Sequence, residues 1–188
     1  MRRLRKPEPR LRSRTAGWLA LAVSAVMALT GCKRSAHDPR ALVPEPGGPL
    51  LSVVSVSDPA ASAQLVRGFY GLESGSWRWT AKQFEVALKP PPGSADNGAK
   101  LSFHLYLPDS IVAKFGPVTL AAAVNGFALA PETYSKPGTY VYARDVPAAV
   151  LKSDAVIVRF TSDKGMAPSA GDQRELALVS VSIGLEPK

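Results

Sequence analysis

The chain of 188 residues has one cysteine, Cys32, and two histidines, His37 and His104. A single thiol excludes an intrachain disulfide, so a folded domain in this chain depends on its apolar core. One thiol and two separated imidazoles do not supply the ligand set of a transition-metal site, and no spacing of aspartates marks a calcium loop. We therefore predict no metal and no cofactor.

Familiar catalytic motifs are missing as well. The sequence has no G-x-S-x-G nucleophile turn, no Walker glycine loop and no H-E-x-x-H motif. A carboxylate pair, Glu73 with Asp172, is conceivable for glycoside hydrolysis. Nearby arginines would keep both carboxylates ionised, whereas that reaction needs an acid with a raised pKa. We therefore predict that the protein is not an enzyme, and a glycan hydrolase is kept as an alternative.

The uncharged apolar run from Trp18 to Leu29 follows a strongly basic start. It is too short for a permanent spanning helix, which needs about 20 residues, and has the length of a signal-peptide core. It ends in Leu29-Thr30-Gly31-Cys32, which resembles a bacterial lipobox. The resemblance implies cleavage before Cys32 and acylation of that cysteine, and two or more acyl chains hold a protein stably on a membrane. An ordinary signal peptide or an uncleaved anchor is the alternative.

The residue after the cysteine bears on location. An aspartate at that position resembles an inner-membrane retention signal in bacteria with two membranes, and this chain has Lys33 there. We therefore expect an exported lipoprotein, held in the outer membrane where the organism has one.

The net charge of +8 belongs mostly to the leader. Residues 1–31 contain seven basic residues and one acid, a net of +6, which leaves +2 for the remainder. A nearly neutral remainder without an arginine-rich stripe predicts no nucleic-acid partner. We divide the chain into a signal peptide (1–31), an acylated cysteine with a Pro/Gly-rich tether (32–50) and a folded domain (51–188).

The domain shows the patterns of short β-strands. Apolar and polar residues alternate from Leu101 to Leu107, as expected for a strand with one buried face. Asn125-Gly126 predicts a two-residue hairpin turn. Further strand-like runs are Leu51–Val56, Phe84–Leu88, Val118–Val124, Phe127–Leu129, Thr139–Ala143, Ala155–Thr161 and Glu175–Leu185.

Helical signals are few. Pro59–Val66 and Val146–Lys152 are candidates for short helical turns, the second with Asp145 as its N-cap. We predict an all-β domain, an antiparallel β-sandwich or jelly roll of about seven to nine strands with one or two short helical turns.

Four stretches in a fixed order carry a resemblance: "GFYGLESGSWRWT", "LSFHLYLP", "PVTLAAAVNGFAL" with "PGTYVYARDVP", and "VIVRFTSDKGMAPSAGDQRELALVSVSIGL". Together, over Gly68 to Leu185, they resemble a bacterial jelly-roll accessory domain. That domain is similar to carbohydrate-binding modules and is found fused to glycosyltransferases or alone in exported proteins. The resemblance implies a jelly-roll fold more directly than an activity.

Two aromatic residues flank an arginine in Trp77-Arg78-Trp79. On a strand, Trp77 and Trp79 share one face, where they either pack in the core or form a stacking platform for a sugar ring. The other candidate aromatic residues are Tyr106, Tyr140 and Tyr142. Tyr140 and Tyr142 share a strand face, and either ligand stacking or cross-strand packing would suit them.

Four charged residues form a second candidate cluster. We expect Glu73, Arg78, Asp172 and Arg174 to meet, because a guanidinium group pairs with carboxylates bidentately. The cluster would clamp two loops together, or hydrogen-bond a glycan hydroxyl. His104 is expected on the polar face of its strand as a solvated side chain.

These observations predict a membrane-anchored envelope lipoprotein with a non-catalytic domain that binds a saccharide or envelope polymer. The alternative is a structural or protein–protein interaction module of the envelope. The expected partners are the membrane, through the N-terminal lipid, and a glycan or an envelope protein.

Overall fold

The structure is a computed structural model, and it describes residues 49–188. The predicted leader, lipobox and most of the tether therefore lie outside the described residues. The strands are β1 (Val53–Ser55), β2 (Leu65–Glu73), β3 (Trp77–Leu88), β4 (Ala99–Leu107), β5 (Val118–Val124), β6 (Phe127–Tyr134), β7 (Gly138–Val146), β8 (Val156–Ser162) and β9 (Val179–Pro187). The helices are α1 (Ser94–Asn97), α2 (Asp109–Phe115) and two 3-10 turns, Pro59–Gln64 and Ala148–Val150.

All strand pairs are antiparallel and belong to one hydrogen-bonded sheet in the order β6-β5-β8-β3-β9-β4-β7, with β1 added to β9 and β2 added to β3. The two ends of this order meet through side chains. Tyr142 on β7 donates its hydroxyl to the carbonyl of Ala130 on β6 at 2.8 Å, and Arg144 forms an ion pair with Glu132 at 3.0 Å. The sheet therefore folds over on itself and encloses its apolar face, which confirms the all-β sandwich prediction.

The core is aromatic at its centre. Phe84, Phe103 and Phe160 are fully buried, and their ring centroids lie 4.8 to 5.5 Å apart. They come from β3, β4 and β8, so one cluster ties three separate strands together. Aromatic side chains of this size bury more apolar area than any other residue type, so this cluster stabilises the domain strongly.

The clearest sequence patterns are confirmed. Leu101, Phe103, Leu105 and Leu107 all point into the core. Asn125 and Gly126 have φ values of 46° and 85°, and they join β5 to β6 as a two-residue hairpin. The strand and the hairpin match the prediction because alternating apolar residues favour a half-buried strand and Asn-Gly favours a tight turn.

Several boundaries differ from the prediction. Only Ala148–Val150 is helical in the second predicted turn, because β7 extends to Val146 and places Asp145 in the strand opposite Lys100. The first turn is a 3-10 helix, Pro59–Gln64, capped by the Asp58 carboxylate, which accepts the Ala60 N–H at 2.9 Å. Strand β2 and the helices α1 and α2 were not predicted.

The first and last strands are shorter than predicted. Strand β1 covers Val53–Ser55, and β9 begins at Val179. Residues 175–178 instead form an irregular segment that contacts two parts of the chain. Leu176 makes an isolated β-bridge with Met166, and the Ala177 N–H bonds to the Thr80 carbonyl on β3. No helix within residues 49–188 is long and apolar enough to cross a membrane.

Candidate functional site

An aromatic row crosses three neighbouring strands. Trp79 on β3 is paired with Val179 on β9, and Val179 is paired with Tyr106 on β4. Residues paired in this way place their side chains on the same face of the sheet. Trp77 lies two residues before Trp79 and shares that face, with the two indole centroids 6.2 Å apart and the rings 77° from parallel.

A bulge in β9 adds an apolar side chain to the row. His104 is paired with Ser182 and Leu105 with Ser180, so Val181 is an extra residue on β9 with no partner on β4. A bulge of this kind re-aims a side chain. The Val181 side chain is 41% exposed, and its carbonyl accepts the N–H of Val56 at 3.0 Å.

These residues line a shallow groove of about 360 Å³, which we call the tryptophan groove: Trp77, Trp79, Tyr106, Pro108, Val179 and Val181. Its surface is nearly all apolar. The polar rim includes the Tyr106 hydroxyl, which donates to Asp109 Oδ2 at 2.9 Å. Within residues 49–188, neither indole N–H has a hydrogen-bond partner, so both remain available to a ligand.

The two tryptophans are half-buried, an arrangement between the predicted core and platform roles. One part of Trp79 packs against a small cluster of Tyr70, Ala81 and Leu176 beneath it. The remainder of the ring lines the groove. The packing holds the ring in place, which lowers the entropic cost of presenting it to a ligand.

Three of the four charged residues of the predicted cluster meet. Arg174 Nη1 lies 2.7 Å from Glu73 Oε1, and its Nε and Nη2 bond the Asp172 carboxylate at 2.9 and 2.8 Å. Hydrogen bonds from Arg174 hold the pKa of Asp172 below its usual value. Arg174 also lies over the ring of Tyr70, 5.5 Å from its centroid. The ion pair between Arg174 and Glu73 links the end of β2 to the segment before β9.

Arg78 does not join that cluster, contrary to the prediction. Its Nε donates to the Val56 carbonyl at 2.8 Å and its Nη1 to the Tyr70 carbonyl at 2.9 Å. Arg78 alternates with Trp77 and Trp79 and therefore points to the opposite face of β3. Burial lowers the pKa of its guanidinium group. Arg78 thus connects β3 to two other segments, because it bonds the Tyr70 carbonyl on β2 and the Val56 carbonyl just after β1.

The other tyrosines have separate roles. Tyr142 is fully buried, which corrects its prediction as a surface aromatic residue; its hydroxyl reaches the β6 backbone and its ring meets Phe160. Tyr140 packs on Tyr134 with ring centroids 4.4 Å apart. Tyr106 lines the groove, and His104 is exposed.

Sequence patterns alone did not single out Pro108, Val179 and Val181 as groove residues. Val179 and Val181 lie in an apolar run that is typical of a buried strand, and only the bulge shows that Val181 points outward. Within residues 49–188, no group of three or more Asp, Glu, His or Cys side chains is arranged to hold a metal ion.

Comparison with known proteins gives a limited result. No family model matches the chain, and no curated protein matches it. A carbohydrate-binding module, CBM36, in complex with calcium and xylotriose is 7% identical, with a TM-score of 0.39, 72% of this chain covered and 100% of that chain. A mannan-recognising module, CBM27, is 11% identical, with a TM-score of 0.40 and coverages of 72% and 95%.

A third solved structure is a family GH115 4-O-methyl-alpha-glucuronidase with specificity for decorated arabinogalactans. It is 9% identical with a TM-score of 0.44, and the match covers 74% of this chain but only 18% of the glucuronidase. TM-scores of 0.39 to 0.44 assign neither a ligand nor a binding site to this chain.

Proposed function

We propose that this protein is a membrane-anchored envelope lipoprotein whose β-sandwich domain binds a saccharide in the tryptophan groove. One observation carries the proposal: Trp77, Trp79 and Tyr106 line a concave, apolar surface that lies outside the main core. A sugar ring presents an apolar C–H face to an aromatic ring, and its hydroxyls need donors and acceptors at the edge. The free indole N–H groups and the Tyr106–Asp109 pair are suitable edge partners.

The proposed domain is non-catalytic. Glu73 and Asp172 are the carboxylate pair that glycoside hydrolysis would require, and both bond the same arginine. General acid catalysis on a glycoside needs a carboxyl group with a raised pKa. Arg174 has the opposite effect on Asp172, since it lowers the pKa of that carboxyl.

Tryptophan fluorescence tests the proposal directly. The chain has three tryptophans, and residues 49–188, whose strands share one core, contain only Trp77 and Trp79. We expect a partly red-shifted emission that a bound glycan quenches, and a Trp77→Ala variant that binds that glycan at least about tenfold more weakly.

Phe127→Ala is the matched control, because Phe127 is an exposed aromatic residue at the β5–β6 hairpin and away from the groove. It should leave glycan affinity unchanged. Absence of any response across a panel of envelope, plant and host glycans would argue against the proposal, as would equal losses in both variants.

A protein partner is the second candidate, because Pro108, Val179 and Val181 make much of the groove apolar. An apolar segment of an envelope protein would then occupy the same surface. Stoichiometric co-purification from membranes, abolished by Val181→Asp, would support it. Failure to recover any partner under conditions where a glycan binds would remove this candidate.

A further inference from the structure

A second cleft, distinct from the tryptophan groove, opens farther along β3. Strand β2 pairs Arg67 with Glu85 and then Phe69 with Thr80, so two residues along β2 match five along β3. The intervening part of β3 leaves its partner and opens a cleft of about 540 Å³. We call this the β3 cleft, and the lining residues used below are Arg67, Lys82, Gln83, Thr161, Asp163 and Glu175.

Gly68 makes this opening possible. Its φ is +76°, and a Cβ placed there would collide with the Gln83 carbonyl oxygen and lie 2.7 Å from the Phe84 Cα. The close approach of the two backbones at one point forces β3 to bend away beside it. The backbone at Gly68 therefore shapes one side of the cleft, and the side chains of Arg67 and Lys82 complete its lining.

Arg67, at one side of the cleft, shares its carboxylate partner with a second arginine that lies outside the cleft. Glu85, only 8% exposed, accepts from Arg67 at 2.8 Å and from Arg159 at 2.5 Å. Burial alone would raise the pKa of Glu85, but the bonds from the two arginines outweigh it and lower that pKa. Two guanidinium groups thus share one ionised carboxylate, which leaves a net charge of one positive unit.

The remaining charges at the cleft occur in pairs. Glu175 accepts the backbone N–H of Lys82 at 3.0 Å and lies 3.8 Å from the Lys82 ammonium group. Asp163 accepts the N–H of Thr119 at 2.7 Å and lies 3.5 Å from Lys164. These pairs offset each other, so Arg67, whose partner Glu85 is shared with Arg159, is the cation at the cleft with an incompletely neutralised charge.

Several donors at the cleft have no partner. The side chains of Gln83 and Thr161 make no hydrogen bond within the part of the chain that the structure describes, and the Lys82 ammonium group has only the 3.8 Å approach to Glu175. A cleft of this size accommodates one or two sugar rings. Its polar donors suit hydroxyl groups, and the incompletely neutralised Arg67 and the Lys82 ammonium group suit an anion.

We propose that the β3 cleft binds a carboxylate-bearing sugar, with Arg67 and Lys82 facing the carboxylate and Gln83 and Thr161 bonding ring hydroxyls. This site does not include Trp77 or Trp79, so it can exist whether or not the tryptophan groove binds a glycan. A ligand that occupied both sites would combine a neutral and an acidic part.

Two-dimensional amide NMR of residues 49–188 at about 0.15 M salt tests the cleft, because this ionic strength screens charges beyond about 8 Å. The probes are sodium glucuronate, galacturonate and N-acetylneuraminate at up to about 50 mM, a range that detects millimolar dissociation constants. Glucose and galactose serve as neutral sugars, and acetate serves as a carboxylate without a ring. We expect at least one acidic sugar to shift the amides of Lys82, Gln83 and Thr161, with smaller or no shifts from the other probes.

Arg67→Gln and Arg159→Gln form a matched pair, since each removes one of the two arginines on Glu85 but only Arg67 lines the cleft. Arg67→Gln should weaken binding of the acidic sugar at least about tenfold and Arg159→Gln less than about threefold. Gln83→Ala, at an exposed side chain, gives a second variant with little effect on folding and should also weaken binding.

Equal shifts from glucose would show a neutral site, and equal shifts from acetate would show a simple anion site; either would overturn the proposal. Absence of cleft shifts with all three acids would do the same. The indole N–H signals of Trp77 and Trp79 report on the tryptophan groove in the same spectra, so failure of one site is distinguishable from failure of the other.

Discussion

At the scale of single residues, two buried tyrosines differ in one hydrogen bond. Tyr142 and Tyr134 both lie at the junction of β6 and β7, and both side chains are buried. The Tyr142 hydroxyl donates to Ala130, whereas the Tyr134 hydroxyl has no partner within residues 49–188. A buried hydroxyl without a partner loses its hydration and gains nothing in return.

Changing each tyrosine to phenylalanine should therefore have different effects on stability. Tyr142→Phe removes a hydrogen bond and leaves a carbonyl with fewer donors, so we expect a loss of about 1 kcal/mol of unfolding free energy. Tyr134→Phe should be neutral or stabilising by up to about 1 kcal/mol. Urea denaturation of both variants measures the difference, and a larger loss for Tyr134→Phe would contradict the assignment.

The Arg174 ion pairs give a pH-dependent contribution to stability at the same scale. Arg174→Met should lower the unfolding free energy by about 1 kcal/mol near neutral pH, since the three groups are only partly buried. The pKa of Asp172 is lowered from 3.8 in the folded state, so its contribution is complete above that value and is lost as pH falls through the lowered pKa.

The stability difference between wild type and Arg174→Met should accordingly be constant from about pH 5 to pH 8 and shrink below about pH 4. Thermal melts across this range measure it. Lys136→Met, at an exposed lysine with no ion pair within residues 49–188, is the control. A difference between wild type and Arg174→Met that grows on acidification would exclude the assigned role of Asp172.

At the scale of the elements, β3 determines where both candidate sites lie. Its first part carries Trp77 and Trp79 beside β9, its middle part leaves β2 at the β3 cleft, and its last part pairs with β8. The change of partners along one strand creates two different surfaces. Gly68 on β2 is the position where the separation begins.

Glycine substitutions test this arrangement. Gly68→Ala combines a positive φ with a Cβ that would contact the Gln83 carbonyl, and we expect a loss of at least about 2 kcal/mol together with distortion of the cleft. Gly71→Ala lies on the same strand with open space around its Cβ, so its effect should stay within about 0.5 kcal/mol. Similar losses for the two variants in chemical denaturation would show that Gly68 has no special role.

At the scale of the whole molecule, the sheet closes through side chains and carries its two candidate sites on the outside. Arg144 supports the closure, because it bonds the Ala130 and Pro131 carbonyls and lies over the Tyr142 ring, 4.6 Å from its centroid. Strand β1 lies between the two ends of β3: Leu51 bonds Lys89 just beyond that strand, and Val56 bonds the groove residue Val181.

The proposed anchor is tested on the full chain in a bacterial host with two membranes. We expect Cys32→Ser to abolish incorporation of a labelled fatty acid and to block cleavage before residue 32, since no thiol remains for acylation. Lys33→Asp should remain acylated but move to the inner membrane. Fatty-acid labelling with membrane fractionation measures both, and labelling that persists in Cys32→Ser would disprove the anchor.

The sequence by itself determined the features that depend on local preferences. The period of two in residues 101–107 and the positive φ accepted by Asn125-Gly126 were sufficient to predict a buried strand face and a hairpin, and the spread of such runs predicted the all-β class. Tertiary structure decided which way the tryptophans face, that Arg174 bonds Glu73 while Arg78 does not, and that Tyr142 is buried. These depend on strand register, on bulges at Gly68 and Val181, and on the meeting of β6 with β7, all of which join residues far apart in the chain.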